Sequence, residues 1–251
     1  MSGQPTRAGL TPEATDNRLI DRLPLEWRKF GAFLRSPTLP HRADLSLRGT
    51  ARALPWLYGL DLLLMAVVLG VIGLAAALGL EMPEHLLNNV QLTPLLIGFM
   101  IVGAPVGEEV LFRGWLSGRP GHILAVASLL AGGAVMLIAS NPVVQVVGIA
   151  LGVVLGVAAL VVFRGRDAPP WFQRHFRWFY YASALAFAAM HLTNFAGTGG
   201  PSPAQLPLVL PQLMLGLILG YLRVNRGLMA GAALHMLHNA LFVGLMLAGA
   251  S

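Results

Sequence analysis

The stretch PWLYGLDLLLMAVVLGVIGLAAALGL, residues 55–80, reads as a membrane span. A helix rises 1.5 Å per residue, so about 20 apolar residues cross the ~30 Å hydrocarbon layer. Six further runs follow at about 92–116, 122–139, 143–163, 179–195, 206–222 and 228–249. The third and fourth runs are parted by SNP (140–142), a turn in which Pro142 is placed to start a helix. The chain is 56% hydrophobic and 11% charged, with a mean hydropathy of +0.69. A soluble domain carries about 25% charged residues. The expected fold is therefore all-α: a polytopic transmembrane helical bundle of about seven spans.

The charges say how that bundle is oriented. Residues 1–52 hold nine of the 17 basic and five of the 11 acidic residues. This divides the chain into a polar basic arm over 1–50, disordered in part or carrying a short surface helix, and a transmembrane domain over 51–251. Arg48, Arg52, Arg119, Arg164, Arg166, Arg174, Arg177, Arg223 and Arg226 all flank alternate ends of the spans, whereas 81–91, 140–142 and 196–205 contain no Lys or Arg. Basic loops stay in the cytoplasm, so the N-terminus is expected there. Trp56, Trp115, Trp171, Trp178, Tyr180 and Tyr221 fall at the same ends as interfacial anchors. The net charge of +6 is thus topological and calls for membrane lipids as neighbours, not for nucleic acid. The first apolar run begins near Leu54, too late for a signal peptide. Among the 17 basic residues Lys29 is the one lysine. That bias, with much Ala, Gly and Pro, points to a high-GC bacterial source and so to a cell inner membrane. Without cysteine there is no disulfide and no thiolate metal site. Gly148, Gly152 and Gly156, Gly216 and Gly220, and Gly227 and Gly231 have the four-residue spacing of closely packed helices.

Ionisable groups are expensive in hydrocarbon, about 2.5–3.5 kcal/mol each on insertion scales. Those retained are few. The second span has Glu108, Glu109 and Arg113; the fifth has His191 and Asn194; the last has His235, His238 and Asn239. Asp61, nearer an inner end, is expected to be structural, a partner for an arginine near the surface. Glu109 and Arg113 are four apart and share a helix face, as are His235 and Asn239. Glu108 points about 100° away from Glu109 and is left for another role. His238 is similarly turned off the His235 face, towards a packing or supporting role. Counted along their helices, Glu108, His191 and His235 reach similar depths of roughly 12–18 Å. A carboxylate, two imidazoles and an amide at one level are equipment for hydrolysis. The glutamate deprotonates water, the imidazoles orient it or bind a metal that activates it, and an amide or imidazole donor steadies the oxyanion. There is no Gly-x-Ser-x-Gly, no His-Glu-x-x-His and no pair of intramembrane aspartates.

EEVLFR (108–113), FAAMH (187–191) and HMLHN (235–239) match the Glu-Glu-x-x-x-Arg, Phe-x-x-x-His and His-x-x-x-Asn motifs of the CPBP family, in order. The chain resembles this family, the CAAX proteases and bacteriocin-processing proteins also called Abi, over roughly 92–249. The resemblance implies an intramembrane endopeptidase. Glu108 would activate the water, supported by Glu109 and Arg113; His191 and His235 would hold the water or a metal; Asn239 would help stabilise the oxyanion. The cofactor is zinc or none: Glu108, His191 and His235 would be the ligands of an open three-ligand zinc site. The partner is a peptide or membrane-protein substrate. In a bacterium, a prenylated CAAX protein is not the expected substrate. Buried Glu and His also build proton relays, so a proton-coupled transporter, or a catalytically silent scaffold of the same fold, is the alternative reading.

Overall fold

The computed structural model describes residues 23–80, 83, 90–195 and 203–249. The first 22 residues of the expected arm, and most of the loops at 81–91 and 196–205, lie outside the described residues. What is described is helical. A short helix α1 (Leu25–Arg35) precedes α2 (Leu47–Ala77). The second apolar run becomes a composite helix, α3 (Pro94–Ser117). Then come α4 (Pro120–Ile138), α5 (Pro142–Val162), the short α6 (Pro170–Arg174), α7 (Phe176–Met190), α8 (Leu210–Arg226) and α9 (Leu228–Gly249).

Six helical segments are long and apolar enough to cross a membrane, among the described residues. The run expected at 179–195 forms α7, which has 15 residues and passes into a 3₁₀ turn over His191–Asn194. At 1.5 Å per residue α7 spans roughly 22 Å, so His191 sits at its end, not within it. Large side chains such as Leu95, Leu137, Ile138, Val146 and Val161 stand exposed around the bundle. In water this surface would aggregate; in a bilayer it faces lipid. The chain is a multi-pass membrane protein.

The inside of the bundle is built around α8, 56% of whose most apolar window is buried, against 11–39% for the other spans. Leu215, Ile218, Leu219 and Leu222 are buried there with Leu57 of α2, Phe187 of α7 and Leu234 of α9. Helix α1, drawn from the expected arm, docks on the same core. Its Phe30 is buried, Phe33 meets Tyr180 and Tyr221 edge-on, and the Tyr181 hydroxyl donates to the Leu34 carbonyl. Helices α4 and α5 form a hairpin. Asn141 caps α5 by accepting from the Val143 N–H at 2.8 Å. The two helices meet at glycines, as the spacing predicts: a Cβ on Gly152 would lie 2.7 Å from the Ser128 carbonyl.

Helix α3 is irregular for a legible reason. Two π-helical turns, Phe99–Gly103 and Glu109–Arg113, interrupt it. Pro105 lies between them and has no N–H to give. In an i→i+5 ladder that N–H would serve the Met100 carbonyl. The orphaned oxygen instead accepts from Nδ2 of Asn239 at 2.8 Å. Such π-bulges are frequent at functional sites. The far end of α3 is held from outside as well. Ser183 donates to the Phe112 carbonyl at 2.7 Å, and Arg223 donates to the carbonyls of Arg113 and Gly114 at 2.9 and 3.0 Å. The exposed ends that every helix carries are satisfied here by α7 and α8, which therefore position the segment bearing Glu108, Glu109 and Arg113.

Candidate active site

The two adjacent glutamates have different surroundings. Glu109 and Arg113 are fully buried and joined by a 2.9 Å hydrogen bond between Oε1 and Nη1. The guanidinium also lies over the Phe187 ring, with Cζ 3.9 Å from the ring centroid. Cation–π contact and ion pair together keep a charge that hydrocarbon alone would reject. The α9 backbone makes room for the pair at Gly231, where a Cβ would stand 2.8 Å from Oε2 of Glu109. Helix α8 does so at Gly216, where a Cβ would stand 3.2 Å from Nη2 of Arg113 and from the Phe187 ring. These glycines have the packing role that their spacing predicts, and what they pack against is the site.

Glu108 is turned to the other side and is partly open, its side chain 21% exposed. His235 stands between the two carboxylates. Its Nε2 lies 3.6 Å from Oε2 of Glu108, and its Nδ1 lies 3.3 Å from Oε1 of Glu109 without hydrogen-bond alignment. Both ring nitrogens face carboxylates, which accept, and a neutral imidazole has one N–H; the nearer and fully buried Glu109 favours placing it on Nδ1. That leaves the Nε2 lone pair facing Glu108.

His191 and Asn239 are close by without touching the carboxylates. Nδ1 of His191 lies 2.8 Å from the Phe187 carbonyl. Because a carbonyl only accepts, the hydrogen sits on Nδ1 and the Nε2 lone pair is free. Both imidazoles lean on one ring: Phe187 has its centroid 4.6 Å from that of His191 and 5.6 Å from that of His235. Among the described residues no hydrogen bond or ion pair links His191 to Glu108 or His235. Asn239 uses one N–H on Met100 and has a second to give. The structure thus gathers Glu108, Glu109, Arg113 and His235 in direct contact, sets His191 against Phe187, and ties Asn239 to α3.

Asp61 corrects one expectation. It is buried and pairs with His238, Nδ1 to Oδ2 at 2.7 Å, not with an arginine. The Tyr58 hydroxyl, one turn earlier on α2, donates to the Leu237 carbonyl at 3.3 Å. Helix α2 therefore grips α9 between His235 and Asn239, the support role expected of His238. Sequence reasoning passed over Ser183 and read Arg223 as a topological charge. Ser183, Phe187 and His191 follow at four-residue intervals, which was the available signal. Nothing in the sequence betrays that Arg223 reaches the α3 carbonyls.

The three residues expected as a zinc set do not fit one as arranged. Among the described residues no group of three His, Asp or Glu side chains is placed to hold a metal ion. Glu108 and His235 approach to 3.6 Å, whereas among the described residues His191 has no hydrogen bond or ion pair with either. No step of the reaction is therefore assigned to a metal.

Four buried atoms of the cluster, Glu109 Oε2, Arg113 Nε and Nη2 and His235 Nδ1, have no hydrogen-bond partner. Unspent polar capacity in a core is costly and is expected where a structure serves a reaction rather than stability alone. No curated protein and no solved structure matches the chain. A family model, "Type II CAAX prenyl endopeptidase Rce1-like", matches residues 89–241. That interval takes in α3, the Phe187–His191 segment and the His235–Asn239 turn of α9, and it covers more than half of the chain. The protein therefore belongs to the Rce1-like family of type II CAAX prenyl endopeptidases.

Proposed function

We propose that the chain is an intramembrane endopeptidase in which Glu108 activates the attacking water. The supporting observation is the 3.6 Å approach of Glu108 Oε2 to His235 Nε2. With Glu108 ionised and His235 neutral, both atoms are acceptors and repel a direct contact. A water placed between them donates one hydrogen to each. As its oxygen attacks the peptide carbonyl carbon, Glu108 takes the proton. The carbonyl oxygen becomes an oxyanion, and the second N–H of Asn239 donates to it. Collapse of the tetrahedral intermediate breaks the C–N bond, and the proton on Glu108 passes to the leaving amine. The buried Glu109–Arg113 pair acts differently. Its carboxylate, 3.3 Å from Nδ1, favours the His235 tautomer whose Nε2 accepts. His191, fixed by Phe187, offers a second lone pair for substrate or water.

The substrate is a peptide or membrane-embedded protein, cut near the cytoplasmic leaflet if the basic loops lie in the cytoplasm. The membrane is a bacterial inner membrane by the arginine bias. Quantitative membrane proteomics of a Glu108→Ala strain against its parent tests the reading. An uncut precursor should accumulate only in the variant. A normal set of precursors, with loss of proton-coupled uptake instead, would identify a transporter.

A further inference from the structure

A cavity of about 920 Å³ opens between α4, α5 and the start of α9. None of the six site residues lines it; α3 contributes Val110 and Gly114. Its lining changes character with depth. Arg223 and Arg226 come from the last turn of α8, and His122 from the first turn of α4. Leu129 lies seven residues further along α4, and Val153 lies seven residues back from Leu160 near the end of α5. Seven residues are roughly 10 Å of helix. The cavity is thus cationic at the mouth and aliphatic beyond it.

Of the two cations at that mouth, Arg223 has no ionic partner among the described residues. Arg223 is held by two backbone carbonyls through Nε and Nη2. Carbonyls orient a guanidinium but leave its charge, and among the described residues no carboxylate lies within ion-pair distance of it. A charge within a span is held by an opposite charge or by backbone carbonyls, and Arg223 has the carbonyls without the charge. Arg226 does pair with a carboxylate, that of Asp44, whose side chain is half exposed. An arginine fork fixed on one edge presents its other edge for two-point binding of an oxyanion.

We propose that this cavity is a binding site for an anionic phospholipid. One acyl chain lies along Leu129, Val153, Val157 and Leu160, and the phosphate sits on Arg223 and Arg226. Head and tail are matched by the two ends of one cavity. The site is separate from the Glu108 cluster, and the proposal stands whether or not the chain is a protease.

The test uses the full chain, reconstituted in vesicles of equal phosphatidylglycerol and phosphatidylcholine, then released for native mass spectrometry. One phosphatidylglycerol should be retained per chain, with a preference of about tenfold or more over phosphatidylcholine. Arg223→Gln should abolish the preference. Val157→Trp should abolish retention by filling the cavity, and Val146→Trp, on lipid-facing α5 outside it, should change nothing. Should Arg223→Gln fail to fold, Val157→Trp carries the test, since Val157 is 55% exposed and its side chain has room. Equal retention of the two lipids, displacement by equimolar oleate, or retention unchanged in Val157→Trp would each overturn the proposal.

Discussion

His235 presents Nε2 to Glu108 at 3.6 Å while its other nitrogen faces Glu109 at 3.3 Å. One imidazole thus separates two neighbouring carboxylates into a partly open one and a sealed one. The sealed one is an anchor. Removing either member of the buried Glu109–Arg113 pair strands a charge in the bundle, at a cost of about 3–5 kcal/mol. Glu109→Ala and Arg113→Ala should both unfold more readily in detergent, read by thermal or denaturant melting. The double replacement Glu109→Leu with Arg113→Met should recover much of the loss without restoring activity, because His235 no longer has its orienting carboxylate.

The glycine opposite Glu109 is specific to that contact. Gly231→Ala puts a Cβ 2.8 Å from Oε2 of Glu109, whereas a Cβ on Gly244 of the same helix meets nothing within 4 Å. Gly231→Ala should therefore lower activity and stability together. Gly244→Ala should remain within about 0.5 kcal/mol of the parent. Melting curves of the two variants side by side check this.

Helix α2 should matter through one buried couple. His238→Ala leaves Asp61 buried without its partner, which should destabilise by a few kcal/mol, whereas His238→Asn keeps a hydrogen-bond donor and should cost less. Melting of both variants, with cleavage measured well below each midpoint, separates loss of fold from displacement of His235.

The bundle was readable because a run of about 20 apolar residues leaves a helix few alternatives. The one run that behaves otherwise, at 179–195, breaks where His191 turns back on the Phe187 carbonyl. The Glu109–Arg113 and His235–Asn239 faces were legible from four-residue spacing, which is a property of one helix. Contacts between helices were not. Asp61 was expected to meet an arginine because spacing within α2 says nothing about which side chain of α9 faces it. Arg223 obeyed the positive-inside pattern so well that its hold on the α3 carbonyls left no trace. In the α-helix that the sequence suggests, Pro105 would free the Ile101 carbonyl; the π turn moves the vacancy to Met100, and neither that shift nor its filling by Asn239 could be anticipated.

The role of Glu108 is tested most directly by single-turnover cleavage in lipid vesicles, with the precursor that accumulates in the Glu108→Ala strain as substrate. The Glu108→Gln protein should melt at the parental temperature and cleave about 100-fold or more slowly, the range lost with a general base. Cleavage by Glu108→Gln at the parental rate would contradict it.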